Sequence, residues 1–337
     1  MVFRLLLLFV FTCCCSSRVA AQLFLPVSDD PFAVPFAFNR DSIVANKIRF
    51  INIAIQYKPD QQLISDKGLR EYYEFDSLGN LKLYWRNRVR TSRTEEIVIP
   101  AVYRRGRRIR PERTEYKNYY VYDTVFVHYA YDSLNRINMR RLCDGDYYNT
   151  WYYTWNKDNT LAVRIHVRET NTGRNHANFI LGVQTVISEE QFRYERYSPR
   201  QLTQIALNDE GKPYRQMIAD YDEAGRVLEE RLSFIVGGYY NTYRYVYDSL
   251  GRLSSRLFSM TGINSGEELL KYTRDSVGRL EHVRLYRDAV LHDEYTYLYQ
   301  AGSSLPYAFI NRRHQQAGID IVKLYYNEVV EEKRGRN

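Results

Sequence analysis

The stretch Tyr243 to Phe258, YRYVYDSLGRLSSRLF, leaves this chain few folding options. Alternating side chains run into Asp248-Ser249-Leu250-Gly251 and out again, as two strands around a tight turn do. Asp at the first turn position accepts hydrogen bonds from the backbone ahead of it, and Gly at the fourth takes a positive φ at little steric cost. Together they suit a type I turn followed by a bulge. With Asp248 opposite Arg252, Tyr247 is expected to face Leu253, Tyr245 to face Ser255 and Tyr243 to face Leu257. Val246, Arg244, Ser254 and Arg256 then share the other side.

The same device recurs. Its first column holds only Asp or Asn, at Asp76, Asp132, Asn156, Asn208, Asp222, Asp248 and Asp275. Its fourth holds only Gly or Asn, at Gly79, Asn135, Asn159, Gly211, Gly225, Gly251 and Gly278. Asn replaces Gly where a positive φ is needed because it tolerates that region best among residues with a side chain. Arg or Lys usually follows, as at Arg136, Lys212, Arg226, Arg252 and Arg279. Turn spacings of 24 residues (132 to 156), 26 (222 to 248) and 27 (248 to 275) predict one hairpin and its return per unit. No stretch has helical periodicity; Ser188-Glu189-Glu190-Gln191 suits a short helix or a strand equally.

The pairing rule predicts two unlike faces. One collects Phe75, Leu81, Leu83, Trp85, Tyr131, Ile137, Met139, Trp155, Leu161, Val163 and Ile165; the other collects Glu74, Lys82, Arg140, Thr154, Arg164 and His166. The fold class is therefore all-β: an antiparallel meander of repeated hairpins forming a long curved or spiralling sheet, with a sandwich as the alternative. An apolar face without helices must be covered by curling, by folding over, or by another chain.

These residues resemble the YD repeats of the Rhs, teneurin and insecticidal toxin-complex proteins, whose pattern is close to Tyr-x-Tyr-Asp-x-x-Gly-Arg-Leu. Tyr245 to Leu253 matches it fully, and Tyr129 to Ile137 matches with Asn135 in place of Gly. The resemblance implies a β-sheet shell and a link to carbohydrate binding. Neither the family's self-cleaving core nor an attached toxin domain is matched.

The chain has 337 residues, enough for one large core or two ordinary ones. Residues 1–21 read as a signal peptide: Arg4 near the start, apolar Leu5 to Thr12, and Val19-Ala20-Ala21 before Gln22. Residues 22–337 are expected to form a single repeat domain, exported to the periplasm, the cell surface or the medium and not membrane-spanning, since no later run is long and apolar enough to cross a bilayer. Cys13, Cys14 and Cys15 lie in the leader, and none follows the small residue that lipidation favours. Cys143 is the one cysteine left, so no internal disulfide forms. Between Arg86 and Lys117, eleven basic residues face Glu95, Glu96, Glu112 and Glu115, a balance of +7 against +8 for the whole chain. This basic insertion, at about 86–117, suits phosphate-bearing or sulfated polymers or else a solvated, mobile loop. Ile97 to Tyr103 is expected to pair locally, and Arg104 to Arg113 to be exposed.

Little points to catalysis. The six histidines are scattered without metal-ligand spacing, and neither a nucleophile elbow nor a phosphate loop occurs. Asp144-Gly145-Asp146 with Asn149 reads as a tight turn, since the downstream acid of a calcium loop is missing. The expectation is a non-enzymatic protein, without cofactor or metal, that presents a polar sheet face to a glycan, an envelope polymer or a protein partner, and not to nucleic acid. A structural or delivery-associated subunit of a larger surface or toxin-like complex is the alternative. The candidate ligand site is Tyr72, Tyr84 and Tyr152, with Lys82, Arg86 and Arg164 supplying charge.

Export of the full chain should leave Gln22 as the first residue with no lipid attached. Intact-mass measurement checks this, and a diacylglyceryl adduct beginning at one of Cys13 to Cys15 would refute it.

Overall fold

The computed structural model describes residues 24–25, 37–143, 147–173, 179–262 and 265–328. Residues 1–21, expected to be a leader, with Cys13, Cys14 and Cys15, the Asp144-Gly145-Asp146 stretch expected to turn, and His176 lie outside the described residues. Two short strands, β1 (Phe24–Leu25) and β2 (Ala37–Phe38), pair with each other, and a single turn of helix, α1 (Arg40–Ala45), follows. The Asn39 side chain caps α1 by accepting from the Ser42 amide.

All the remaining elements are strands: β3 (Phe50–Lys58), β4 (Ser65–Phe75), β5 (Leu81–Ile99), β6 (Val102–Arg104), β7 (Arg107–Arg110), β8 (Arg113–Tyr131) and β9 (Ile137–Cys143). Then come β10 (Tyr148–Trp155), β11 (Leu161–Asn171), β12 (Leu181–Ser198), β13 (Gln201–Leu207), β14 (Pro213–Tyr221), β15 (Val227–Phe234) and β16 (Tyr239–Tyr247). The series ends with β17 (Leu253–Met260), β18 (Gly266–Arg274), β19 (Leu280–Arg287), β20 (Val290–Tyr299), β21 (Pro306–Arg313) and β22 (Ile319–Tyr326). Ser188 to Gln191 lies within β12, not in a helix.

Apart from the β6–β7 hairpin, each strand pairs antiparallel with the next, so the meander is as expected. Its end is not. β22 pairs with β3 over eight positions, Ile319↔Lys58 to Tyr326↔Ile51, and closes an 18-strand barrel. Neither an open spiral nor a sandwich forms, because closure pairs the two end strands of the meander and covers the apolar face in one step. Asn327 locks the seam. Its side-chain oxygen accepts from the Arg49 amide at 2.7 Å, and its side-chain nitrogen donates to the Lys47 carbonyl at 3.0 Å.

The turns explain the repeated columns. At Asp248 the backbone N–H donates to the Arg252 carbonyl (2.8 Å), while the carboxylate accepts from the Leu250 and Arg252 amides (3.0 and 2.9 Å). Gly251 sits at φ 75°, and Asn135 and Asn159 occupy the same left-handed region at 68° and 65°. Following the meander, the turns at 76, 132, 156, 222, 248 and 275 fall at one rim, which also holds the start of β3 and the end of β22. The turn at 208 is at the other rim, which accounts for its 14-residue step to 222.

At the first rim the residue before Asp and the Arg after Gly join neighbouring hairpins. Tyr247 donates its hydroxyl to the Val227 carbonyl (2.8 Å), and the Arg226 guanidinium lies over the Tyr247 ring at 4.8 Å. Tyr299, which precedes Gln300, does the same to Leu280 (2.8 Å) beneath Arg279 (4.5 Å). Trp155 serves in place of Tyr, its indole N–H reaching the Ile137 carbonyl at 2.8 Å. Arg136, Arg252 and Arg279 reach onward to Asn159, to Gly278 and to Ser303.

The bulge after each turn overturns the expected register. It leaves one residue unpaired on the second strand, so every later pair moves by one and the side chains change face. Tyr245 faces Arg256 and Tyr243 faces Phe258, not Ser255 and Leu257. Tyr72 faces Trp85, and Tyr84 faces Tyr73. The expected apolar face is therefore divided: Phe75 and Tyr131 point to one side, and Leu83, Trp85, Met139, Val163 and Ile165 to the other.

Side chains on the concave side of a closed sheet converge and shield one another, while those outside splay apart. Around the β22–β3 seam the shielded face is the inner one. Ile51, Ile53 and Tyr73 are wholly buried there, in one apolar cluster with Tyr84, Val127, Val283, Tyr297, Phe309, Val322 and Leu324. Ile43 of α1 and the following Ile48 pack into it, and Phe38 sits edge-on to Tyr73 (4.9 Å) and Phe75 (5.3 Å). This apolar half of the inner wall runs through the β22–β3 seam.

Tyr247→Phe should lower stability by about 1 kcal/mol, the net worth of one hydrogen bond; denaturant unfolding measures it, and an unchanged midpoint would show that the rim contact is idle. Acid should weaken the rim as well. Partial burial by itself raises the Asp248 and Asp275 pKa values, but the backbone N–H and guanidinium of Arg252 and Arg279 outweigh it and hold both below the usual carboxylate range. Their contribution is therefore complete above the unfolded value of roughly 3.9 and is lost as pH falls through the lower folded values.

Candidate functional site

The other half of the inner wall, from β9 to β17, has a different chemistry. Arg140, Trp151, His166 and Ser188 form one cross-strand row. The Arg140 guanidinium lies 4.4 Å from the Trp151 ring centre, and Trp151 stacks on His166 at 4.6 Å with planes 6° apart. The next row is Tyr153, Arg164 and Glu190. Arg164 donates to Glu190 at 2.6 Å, Tyr214 donates its hydroxyl to the same carboxylate, and Arg215 stands 3.8 Å away. Farther round, Tyr245 donates to Glu230 (2.7 Å), and Tyr243 stacks on Phe258 at 4.9 Å. Flat aromatic surfaces thus alternate with ion pairs across several strands.

His166 is tuned by this wall. Its burial, and then the charges of Arg168, Arg164 and Arg140, hold it below its ordinary pKa, with Glu190 opposing. One ring nitrogen lies 3.2 Å from the Asn149 side-chain oxygen. The stacked ring is a neutral surface at neutral pH, and its partners are an amide and an indole, not a nucleophile. Among the described residues no group of three His, Cys, Asp or Glu side chains is placed to hold a metal ion.

The six expected ligand residues do not meet. Tyr72 is on the outer wall, stacked between Phe50 (5.8 Å) and Trp85 (6.0 Å). Tyr84 is on the inner wall, 3% exposed, with its ring centre 4.8 Å from that of Tyr73. Arg86 pairs in register with Glu71 on that same inner face. Lys82 is the bulge residue and binds Glu74 at 2.7 Å. Tyr152 is outside, donating to the buried Glu169, which also accepts from Arg141, Thr150 and Gln184. Only Arg164 belongs to the inner polar-aromatic wall, beside His166 and Arg140, with which the alternation had grouped it. The Trp151–His166 stack went unread; shifting β11 by the bulge after Thr154 would have shown it.

Neither a family model nor a curated protein sequence matches the chain. Among solved structures it is similar to a porin-like protein from Bacteroides uniformis, at 10% identity and a TM-score of 0.34, covering 83% of this chain and 97% of that one. A porin-like protein from Bacteroides vulgatus follows at 11% and 0.27, covering 61% and 95%. The TcdB2-TccC3-Cdc42 structure is matched at 11% and 0.23 over 74% of this chain and 17% of that chain. Scores this low establish neither family nor function. The resemblance to YD-repeat proteins is corrected here: no family model supports it, and the hairpins close an 18-strand barrel instead of joining a larger shell. The Tyr-Asp and Gly-Arg columns record the rim geometry described above.

Histidine-selective NMR should place the His166 titration midpoint below the usual value of about 6.5, and Arg168→Gln should move it upward. A midpoint at or above that value would contradict the buried, cation-lined setting.

Proposed function

We propose that this protein is exported to the cell envelope, stands in water there, and binds an elongated polar ligand of the carbohydrate class against the polar-aromatic half of its inner wall, without catalysis. The division of that wall carries the reading. The large cluster of buried apolar side chains lies in the seam half, while β9 to β17 offer Trp151, Tyr153, Tyr243 and Tyr245 among Arg164–Glu190 and Glu230. Aromatic faces can stack on the C–H faces of sugars, and paired charges can bond hydroxyl or acidic groups without a lone ion being left buried.

Water, not lipid, suits the outer wall. Mid-strand charges stand on it, with Glu229 joined to Arg244 (2.9 Å) and to Arg231 (3.1 Å), and Arg284 to Glu294 (2.7 Å). An Arg or Lys facing lipid at mid-bilayer costs roughly 2–4 kcal/mol. The inner wall, with Arg140, Arg164 and Arg256, would fare no better. A passage for small solutes is the second reading, favoured by closure at 18 strands, a size that leaves an aqueous lumen in other barrels.

The mature chain should purify without detergent and bind members of a glycan panel. Tyr153→Ala and Tyr245→Ala should each weaken binding about tenfold with melting little changed. A protein that needs detergent and conducts ions across planar bilayers would replace the binding reading with the passage.

A further inference from the structure

β5 and β8 continue far past their neighbours. β4 stops pairing with β5 at Arg86, and β9 stops pairing with β8 at Phe126. From Arg88↔Asp123 to Ile99↔Arg113 the two strands pair only with each other among the described residues, and the β6–β7 hairpin tops them. At about 3.4 Å per residue, this is an arm of roughly 40 Å standing off the barrel. The basic insertion is thus a paired ribbon and not a loose loop.

The tip is expensive to fold. Arg104 lies directly opposite Arg107, and like charges in that position repel. Arg105 takes a φ of 49° beside Gly106 at 75°, a two-residue turn that places a long side chain in the left-handed region. Arg104, Arg105, Arg107, Arg108 and Arg110 are exposed and make no ion pair among the described residues. They stand free to meet an anionic surface.

We propose that this tip docks the protein onto an anionic lipid surface. The shape and the apolar residues select lipid over a soluble polyanion. The tip is a convex hairpin end, with no groove to enclose a polymer. Val102, Tyr103 and Ile109 stand 47%, 63% and 56% exposed, and Arg110 and Arg108 pair directly with the first two. A tyrosine can also stack on a dissolved glycan, but exposed Val102 and Ile109 beside it gain most from the headgroup layer, which they enter while the guanidinium groups bind lipid phosphates. This reading stands apart from the inner-wall ligand, since no residue is shared.

Flotation of the mature chain with phosphatidylcholine vesicles, with and without phosphatidylglycerol, tests it. Binding to the anionic vesicles should be at least about tenfold stronger and should fall with added salt. Arg104→Gln, Arg105→Gln, Arg107→Gln and Arg108→Gln together should abolish most of it, and Val102→Ser with Tyr103→Ser and Ile109→Ser should weaken it. An unchanged melting curve for both variants will show the barrel intact. Equal binding to neutral vesicles, or no effect of the arginine set, overturns the proposal. So does tight binding of inorganic polyphosphate by a protein that ignores vesicles, which would make the tip a receptor for soluble polyanions.

Discussion

Successive hairpins are held to one another at one rim by a tyrosine under an arginine. The tyrosine hydroxyl satisfies a strand-end carbonyl on the neighbouring strand, which belongs to the preceding hairpin, and the arginine that covers its ring is itself held by the turn aspartate. Each hairpin is thereby tied to the one before and the one after. A meander without such ties could slide or splay, because a strand's ladder bonds are equally good two residues out of register. The latch removes that freedom where each turn reverses the chain.

Closure follows from repetition of this unit. Neighbouring strands twist and coil with a fixed hand, so a long meander curves on its own. An apolar stripe on the inner face near both ends of the sheet then favours joining them. β22 and β3 supply Val322, Leu324, Ile51 and Ile53 to that stripe, and α1 packs Ile43 into the same cluster. With the seam half filled by apolar packing, the opposite half is free to carry charge and aromatic surface. The apolar cluster and the polar-aromatic surface thus occupy different arcs of one wall.

Charges fall where a membrane barrel needs them absent. Ion pairs cross the middle of the outer wall, and arginines stack on aromatic rings inside. This distribution fits a closed sheet bathed in water on its outer side. On the proposed reading, the arm is the separate device that keeps such a barrel near a bilayer.

The strands, their order and the turn chemistry were legible in the chain, because Asp-x-x-Gly turns and alternation are local properties. Asn135 and Asn159 could be read as left-handed residues from their column alone, and their φ values are 68° and 65°. Faces were a different matter. A bulge adds one residue and inverts every side chain beyond it, so Tyr72 and Tyr84, adjacent in a simple pairing rule, stand on opposite walls. The grouping of Arg140, Arg164 and His166 survived because all three lie beyond equivalent bulges and moved together. Closure could not be read at all, for the pairing of Tyr326 with Ile51 joins residues with no local signal in common. Local chemistry chose the hairpin; the summed curvature of eighteen strands, a property of no single stretch, chose the barrel and decided which residues share its inner wall.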